Sequence, residues 1–412
     1  MSDRAFNFAS WAMIVALSVG LHILASCSGA WDEPDDRTGS GPTVPATVPA
    51  AAPTTAPTTG SAFVPPADNP DGLSTWKQLE IREGRLMLAD GVTPYTLNSP
   101  LFSDYAHKLR TIWIPKAAGA ATYDPVGSFD FPVGTVVTKT FYYSVADGAE
   151  PSDGKVVKTD STPDVVNSLA LDDVRLVETR VLVRRNDGWY GLPYIWNAEQ
   201  TEATLQRTGA ILQLELVDDG VETPLTYVVP DVNQCASCHA TNHSTGAIDT
   251  IGLQARHLNN DVDLGDGLAS QLDQWQERQL LSGAPEAGEI PTAAAWNDDA
   301  SSLESRARAY LDINCAHCHN PVGAADTSSL FLDQSTDIGA SFGVCKPPVA
   351  AGAGTGGRLV DIFPGKPEES ILAYRMESTD PAAMMPELGR SVTHAEGVDL
   401  IAQWIESLEG TC

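Results

Sequence analysis

Cys315-Ala316-His317-Cys318-His319, with Met384-Met385-Pro386 well downstream, is the stretch on which the reading of the whole chain turns. Two cysteines two residues apart, followed at once by histidine, form the attachment signature of a covalent c-type haem. The thiols add across the porphyrin vinyl groups, and the adjacent imidazole is held within reach of the iron. A methionine sulfur on the opposite face raises the potential of an electron-carrying iron. Cys235-Ala236-Ser237-Cys238-His239 repeats the signature. Two haems are therefore expected, tethered by Cys235 and Cys238 and by Cys315 and Cys318, with His239 and His319 as proximal ligands.

Cys-x-x-Cys also occurs in zinc and thiol-redox sites. The gap between Cys238 and Cys315 far exceeds the roughly 15 to 20 residues of a paired zinc motif, and neither copy has the βαβ setting of a redox dithiol. A histidine after both copies and a methionine-proline beyond the second favour haem.

Working outward from the second motif, Ser301 to Asn314 reads as the helix that delivers it. Ser301 and Glu304 stand at capping-box spacing, and Leu303, Ala307, Tyr310 and Leu311 share one face. Thr393 and Glu396 repeat the capping box before a stripe of Ile401, Trp404, Ile405 and Leu408. Met385 is the expected axial ligand of the second iron because Pro386 frees its backbone from a helical ladder. Met384 ranks second, and Met376, in an apparent helix, third. His317 is expected to point away from the haem into solvent.

The first motif has no methionine between Cys238 and Cys315. His243 lies too close to His239 to cross to the other face of the ring. His257 ranks first as sixth ligand, with His107, Met87 or no protein ligand as alternatives. An amphipathic helix is expected near Leu268 to Leu281, with Leu268, Leu272 and Trp275 together.

Before these motifs the pattern is mainly β. Apolar, β-branched runs fall at Thr111 to Pro115, Thr135 to Ser144, Arg175 to Val183, Ala210 to Val217 and Leu225 to Val229. Turn pairs Asp147-Gly148, Asp153-Gly154, Asp187-Gly188 and Asp219-Gly220 separate them. This spacing predicts a sandwich or a partly closed barrel. Two aromatic-rich segments, Tyr95 to Tyr105 and Gly188 to Asn197, are read as core, with shielding of a haem as the other role open to them.

The N-terminus reads as an export signal: Arg4, then an apolar run from Trp11 to Leu24, then Leu24-Ala25-Ser26-Cys27, which resembles a bacterial lipobox whose cysteine is acylated. The run is short for a membrane span. Residues 28–71, rich in proline, threonine and alanine, predict a tether with too little apolar surface to fold. Of seven cysteines, one is then lipidated and four hold haems, leaving Cys345 and Cys412 as an expected disulfide in an oxidising compartment. The formal charge of −29, from 25 basic and 54 acidic residues among 412, disfavours nucleic acid as partner and suits a basic redox protein.

The region from about Ser301 to Leu408, with its attachment motif, Pro364-Gly365-Lys366-Pro367, Met385-Pro386 and Ile401-Ala402-Gln403-Trp404-Ile405, resembles a cytochrome c domain. From Gly72 onward the chain is similar to a poorly characterised family of bacterial two-haem cytochromes c. Carrying that wider likeness are Pro100-Leu101-Phe102-Ser103-Asp104-Tyr105-Ala106, Glu178-Thr179-Arg180, Gly188 to Tyr194 and Asn233-Gln234-Cys235. The resemblance implies haem binding and electron transfer and names no substrate. The expected architecture is multidomain, β plus α: signal 1–27, linker 28–71, a β-sandwich-like domain 72–230, a haem-bearing segment 231–295 and an all-α cytochrome c domain 296–412. The expected function is electron transfer between two covalent haems and an extracytoplasmic partner, from a lipoprotein anchored to a bilayer through Cys27 and facing the periplasm or cell surface. Two alternatives are a peroxidase-like enzyme with an open first haem, and a binding module in which the β domain captures a partner.

Overall fold

The computed structural model describes residues 63–159, 167–349 and 351–412. The expected signal, Cys27 and the linker up to residue 62 lie outside them. Among the described residues no helix is long and apolar enough to cross a membrane. The described residues form one unit.

Strand outweighs helix, at 28% against 22%. The central six-stranded sheet runs β11 (Ala203–Leu205), β10 (Gly188–Trp196), β9 (Val174–Arg185), β6 (Val136–Ser144), β4 (His107–Trp113) and β3 (Thr93–Tyr95). All its pairings are antiparallel. One face packs through Leu109, Val181, Leu192 and Tyr194 on a three-stranded sheet of β1 (Leu79–Arg82), β2 (Arg85–Leu88) and β8 (Ser168–Ala170). The other face meets a second three-stranded sheet, β13 (Val221–Val229), β12 (Ala210–Asp218) and β7 (Lys155–Val157), through Phe141, Tyr143, Val177 and Leu225. Further along this second face, Ile112, Val137 and Trp189 join a core built with Leu253, Leu258 and Trp275 from the segment beyond residue 230. Alternation of inward residues thus serves two cores at once, one per face.

Residues 68–71, expected in the tether, are already bonded to this body. Arg185 donates to the carbonyl of Asp68, Tyr194 to that of Pro70, and the Leu205 amide to that of Asp71.

Beyond β13 come α1 (Gln234–His239), α2 (Ala255–Leu258), and a ribbon of β14 (Asp261–Asp263) and β15 (Leu268–Ser270) leading into α3 (Gln271–Glu277). The helix expected over Leu268 to Leu281 is thus shorter. Leu268 lies in the ribbon, 75% exposed, because the Ser270 side chain accepts the Asp273 amide and starts the helix there. Its end gives way to β16 (Leu281–Ser282), which pairs with β5 (Ala121–Thr122).

The last region holds α4 (Leu303–Cys315), α5 (Ile371–Glu377) and α6 (Ala395–Ser407). An all-α domain over 296–412 is not supported: helices are few, and the long stretch from residue 316 to 370 is loop and short 3₁₀ turns. Its glycines and prolines, and side chains that bond their own backbone such as Asp333, explain why. The caps also differ from expectation. Ser302, not Ser301, caps α4 by accepting the Ser305 amide. At α6 the cap position is His394 without a side-chain cap, while the Thr393 hydroxyl donates to the Glu377 carbonyl. α4 and α6 cross where Gly397 sits against the Tyr310 hydroxyl; a Cβ there would collide with it and with His394.

Candidate functional site

The two motifs lie side by side and share one local geometry. In the first, α1 carries Cys235 and Cys238, and the His239 Nδ1 donates to the Asp249 carbonyl at 2.7 Å. In the second, Cys315 ends α4, and the His319 Nδ1 donates to the Leu330 carbonyl at 3.2 Å. A carbonyl oxygen only accepts, so in each ring Nδ1 carries the proton and Nε2 keeps its lone pair free for a metal. Burial, reinforced by the Lys139 charge, pushes the His239 imidazole down to about 3, and burial pushes that of His319 down to about 4. Both are therefore neutral at pH 7, the form that ligates.

The four motif cysteines are free and half-buried. Burial pushes the Cys315 and Cys318 thiols up to about 12, and raises those of Cys235 and Cys238. Reactive redox cysteines need the opposite shift. Among the described residues no three His, Cys, Asp or Glu side chains gather as a metal-ion cluster, so the four thiols do not form the tetrahedral set that zinc takes.

The second motif opens into a cavity of about 550 Å³ whose lining includes Cys315, Cys318, His319, Leu372, Met376 and Met385. That volume lies within the range of cofactor pockets. Met384 is absent from the lining. The backbone around Met385 is fixed from two sides: its amide donates to the Arg375 carbonyl at 2.9 Å, and Arg390 donates to its carbonyl through Nε and Nη2 at 3.1 and 2.9 Å. Arg390 also bonds the carbonyls of Arg375, Ser378 and Val392, so one side chain gathers the whole methionine loop. A disulfide joins Cys345 to Cys412, 67 positions apart in sequence, and encloses that loop.

The segment Pro100 to Ala106, expected as core or shielding, reaches across to this loop. Asp104, 2% exposed, accepts the amides of Ser391 and Val392 at 2.7 and 3.0 Å and the Ser391 hydroxyl at 3.1 Å. Phe102 stacks on His394 at 4.3 Å, and its amide donates to Asn314 one residue before Cys315. The Tyr105 hydroxyl donates to Glu396. The other aromatic segment is mostly core, but it is also a strand, β10, which no alternation announced. Its Gly191 lies so close to the first motif that a Cβ would stand 3.0 Å from the Cys235 Cβ.

The motifs touch directly. The His243 amide donates to the Val322 carbonyl at 2.8 Å, and the Cys318 thiol lies 3.5 Å from the Ser237 carbonyl. The His243 ring, exposed, points to the Val322 and Gly323 carbonyls. His257 is buried, with Nε2 3.3 Å from Asp312 on α4, which Arg256 also holds at 2.6 Å. His317 is not solvent-facing as expected: it is 8% exposed and lies within electrostatic reach of His239, His319 and Lys139. Position between the two cysteines gave no sign of this, because His239 and Lys139, which lie near it, are distant in sequence. The Nδ1 of His257 is buried without a hydrogen-bond partner among the described residues, and the His317 ring lies within reach of the Ile313 carbonyl. His107, the other imidazole considered, sits on β4 beside Tyr142. Met87 pairs with Glu80 and Ser168 in the outer sheet.

The chain matches no family model, no curated protein and no solved structure.

Proposed function

We propose that this chain is a dihaem c-type cytochrome, of the bacterial two-haem family it resembles, that passes electrons between its two haems and an extracytoplasmic redox partner. The observation that carries the reading is the shared geometry of the motifs. Each sets a thiol pair beside an imidazole whose Nδ1 is spent on a backbone carbonyl ten or eleven residues downstream, and the second adds a cavity that also holds methionine. Haem so held supplies one-electron exchange between ferric and ferrous iron.

In this reading Cys235, Cys238, Cys315 and Cys318 tether the two porphyrins. His239 and His319 present Nε2 to the irons. Met385, on a loop clamped by Arg390, supplies the thioether that raises the second potential. For the first iron the sequence offers His257, a buried imidazole whose Nε2 faces Asp312. The direct contacts between the motifs keep the two centres close. The helix-and-loop region 296–412 is proposed as the cytochrome c domain and the sheets before residue 230 as its β-sandwich-like partner. Lipidation at Cys27, export and a basic partner belong to the same proposal and rest on the sequence.

The test is the electron paramagnetic resonance and absorption spectrum of the oxidised, purified protein with and without cyanide. Two low-spin signals that ignore cyanide support a carrier with both irons closed. A high-spin component that binds cyanide would move the reading to a haem redox enzyme with an open first iron. Absence of any haem signal would end it.

A further inference from the structure

The register of the central sheet sets a row of cations on the face that meets the first motif. Arg110 on β4 pairs with Lys139 on β6, and Lys139 with Arg180 on β9. Lys108 follows two residues from Arg110 on the same face. Directly paired cross-strand residues have Cβ atoms about 5 Å apart, and like charges there repel. Two carboxylates face them: Glu178 holds Arg180 at 2.6 and 2.8 Å, and Asp104 lies within electrostatic reach of Lys108. Glu178 also accepts the Tyr227 hydroxyl at 2.8 Å.

Arg110 is 7% exposed and has no hydrogen-bond or salt-bridge partner among the described residues; Lys108 and Lys139 have none either. The Phe141 ring lies beneath Lys108, Lys139 and Arg180 at 5.9, 5.1 and 4.5 Å, and such contacts soften the charge without neutralising it. A chain of net charge −29 has no shortage of carboxylates with which to pair these groups. It leaves them open beside Cys238 and His239, both of which feel the charges of Lys139 and Arg180.

We propose that the row Arg110–Lys139–Arg180, with Lys108 at its end, is a carboxylate-binding seat beside the first attachment helix. Its occupant is carboxylate either from the propionate arms of the covalent haem or from a free carboxylate solute. Bidentate arginine and point-charge lysine together suit paired carboxylates. This rests on the haem reading for the first source and on the row alone for the second.

The test uses the full matured chain, with Arg110→Gln, Lys139→Gln and the charge-keeping Lys139→Arg, in redox titrations where the second haem serves as internal reference. Propionate as occupant predicts that both glutamine variants lower the first haem's potential, that Lys139→Arg restores it, and that succinate changes nothing. A free carboxylate predicts saturable displacement of the first-haem spectrum by succinate, weakened at least tenfold in Lys139→Gln. Unchanged first-haem potential together with no response to succinate overturns the proposal. Should Arg110→Gln fail to fold, half-buried Lys139 carries the same comparison. A haem-stained gel separates the two readings: if no covalent haem is found, calorimetric titration of the chain with succinate still decides the seat, binding supporting it and its absence refuting it.

Discussion

Around the first motif the sheet presents Arg110, Lys139 and Arg180, whereas the second motif opens into a cavity with Met376 and Met385 in its lining. Thiol pair, imidazole and carbonyl are common to both. The surroundings differ because the scaffolds differ: a strand register repeats charge across neighbours, while a loop held by Arg390 can bring a soft thioether to one point. The lesson is that one local motif can be set into two different scaffolds, and its surroundings come from whichever fold lies opposite.

The sharpest way to break the comparison is to remove one thiol pair at a time. Cys235→Ser with Cys238→Ser, and separately Cys315→Ser with Cys318→Ser, should each reduce covalent haem from two to one per chain, read by intact mass and pyridine haemochrome. Retention of both haems in either double variant would refute the role of that pair.

Next in size, Met385→Ala should lower the potential of the second haem alone and let that iron bind cyanide, while Met376→Ala leaves ligation in place. The opposite ranking in a spectroelectrochemical titration would make Met376 the ligand. Asp104→Ala probes the link between the two regions. It strands two half-buried amides and should cost about 1–3 kcal/mol by urea unfolding, with the second haem's methionine ligation loosened more than anything at the first.

The smallest effect is set by pH. Burial pushes His394, 7% exposed, down to about 4 from an ordinary 6.5. Above pH 6.5 it is neutral folded or unfolded and contributes nothing to pH dependence. As pH falls from 6.5 toward 4 the unfolded chain takes up a proton that the native ring refuses, so stability falls, by about 1.4 kcal/mol per pH unit for one such group. His394→Asn should flatten that slope in urea midpoints measured at pH 5 and 7; an unchanged slope would assign it to other groups.

Much of this was legible in the chain. The strands β6, β9, β12 and β13 follow β-branched alternation, and Asp219-Gly220, both at positive φ, makes the β12–β13 turn. Strand β10 was hidden because Gly191, Pro193 and aromatics facing two different cores erase any period of two. The two Cys-x-x-Cys-His motifs could be read from spacing. What could not was everything set by distant pairing: the cation row, whose members lie on three strands, the burial of His317, and the reach of Asp104 to Ser391. The all-α expectation failed because a helix at each end says nothing of the long span between.

That reach of Asp104 bears on how the protein can be divided. A fragment beginning at residue 296 would carry the second motif, its methionines and its disulfide, and by motif alone would pass for a self-sufficient module. It would lack Phe102, Asp104 and Tyr105, leaving the Ser391 and Val392 amides without their acceptor and His394 without its stacked ring. The smallest piece that retains the second site is therefore almost the entire described chain, because that site is completed by both regions together.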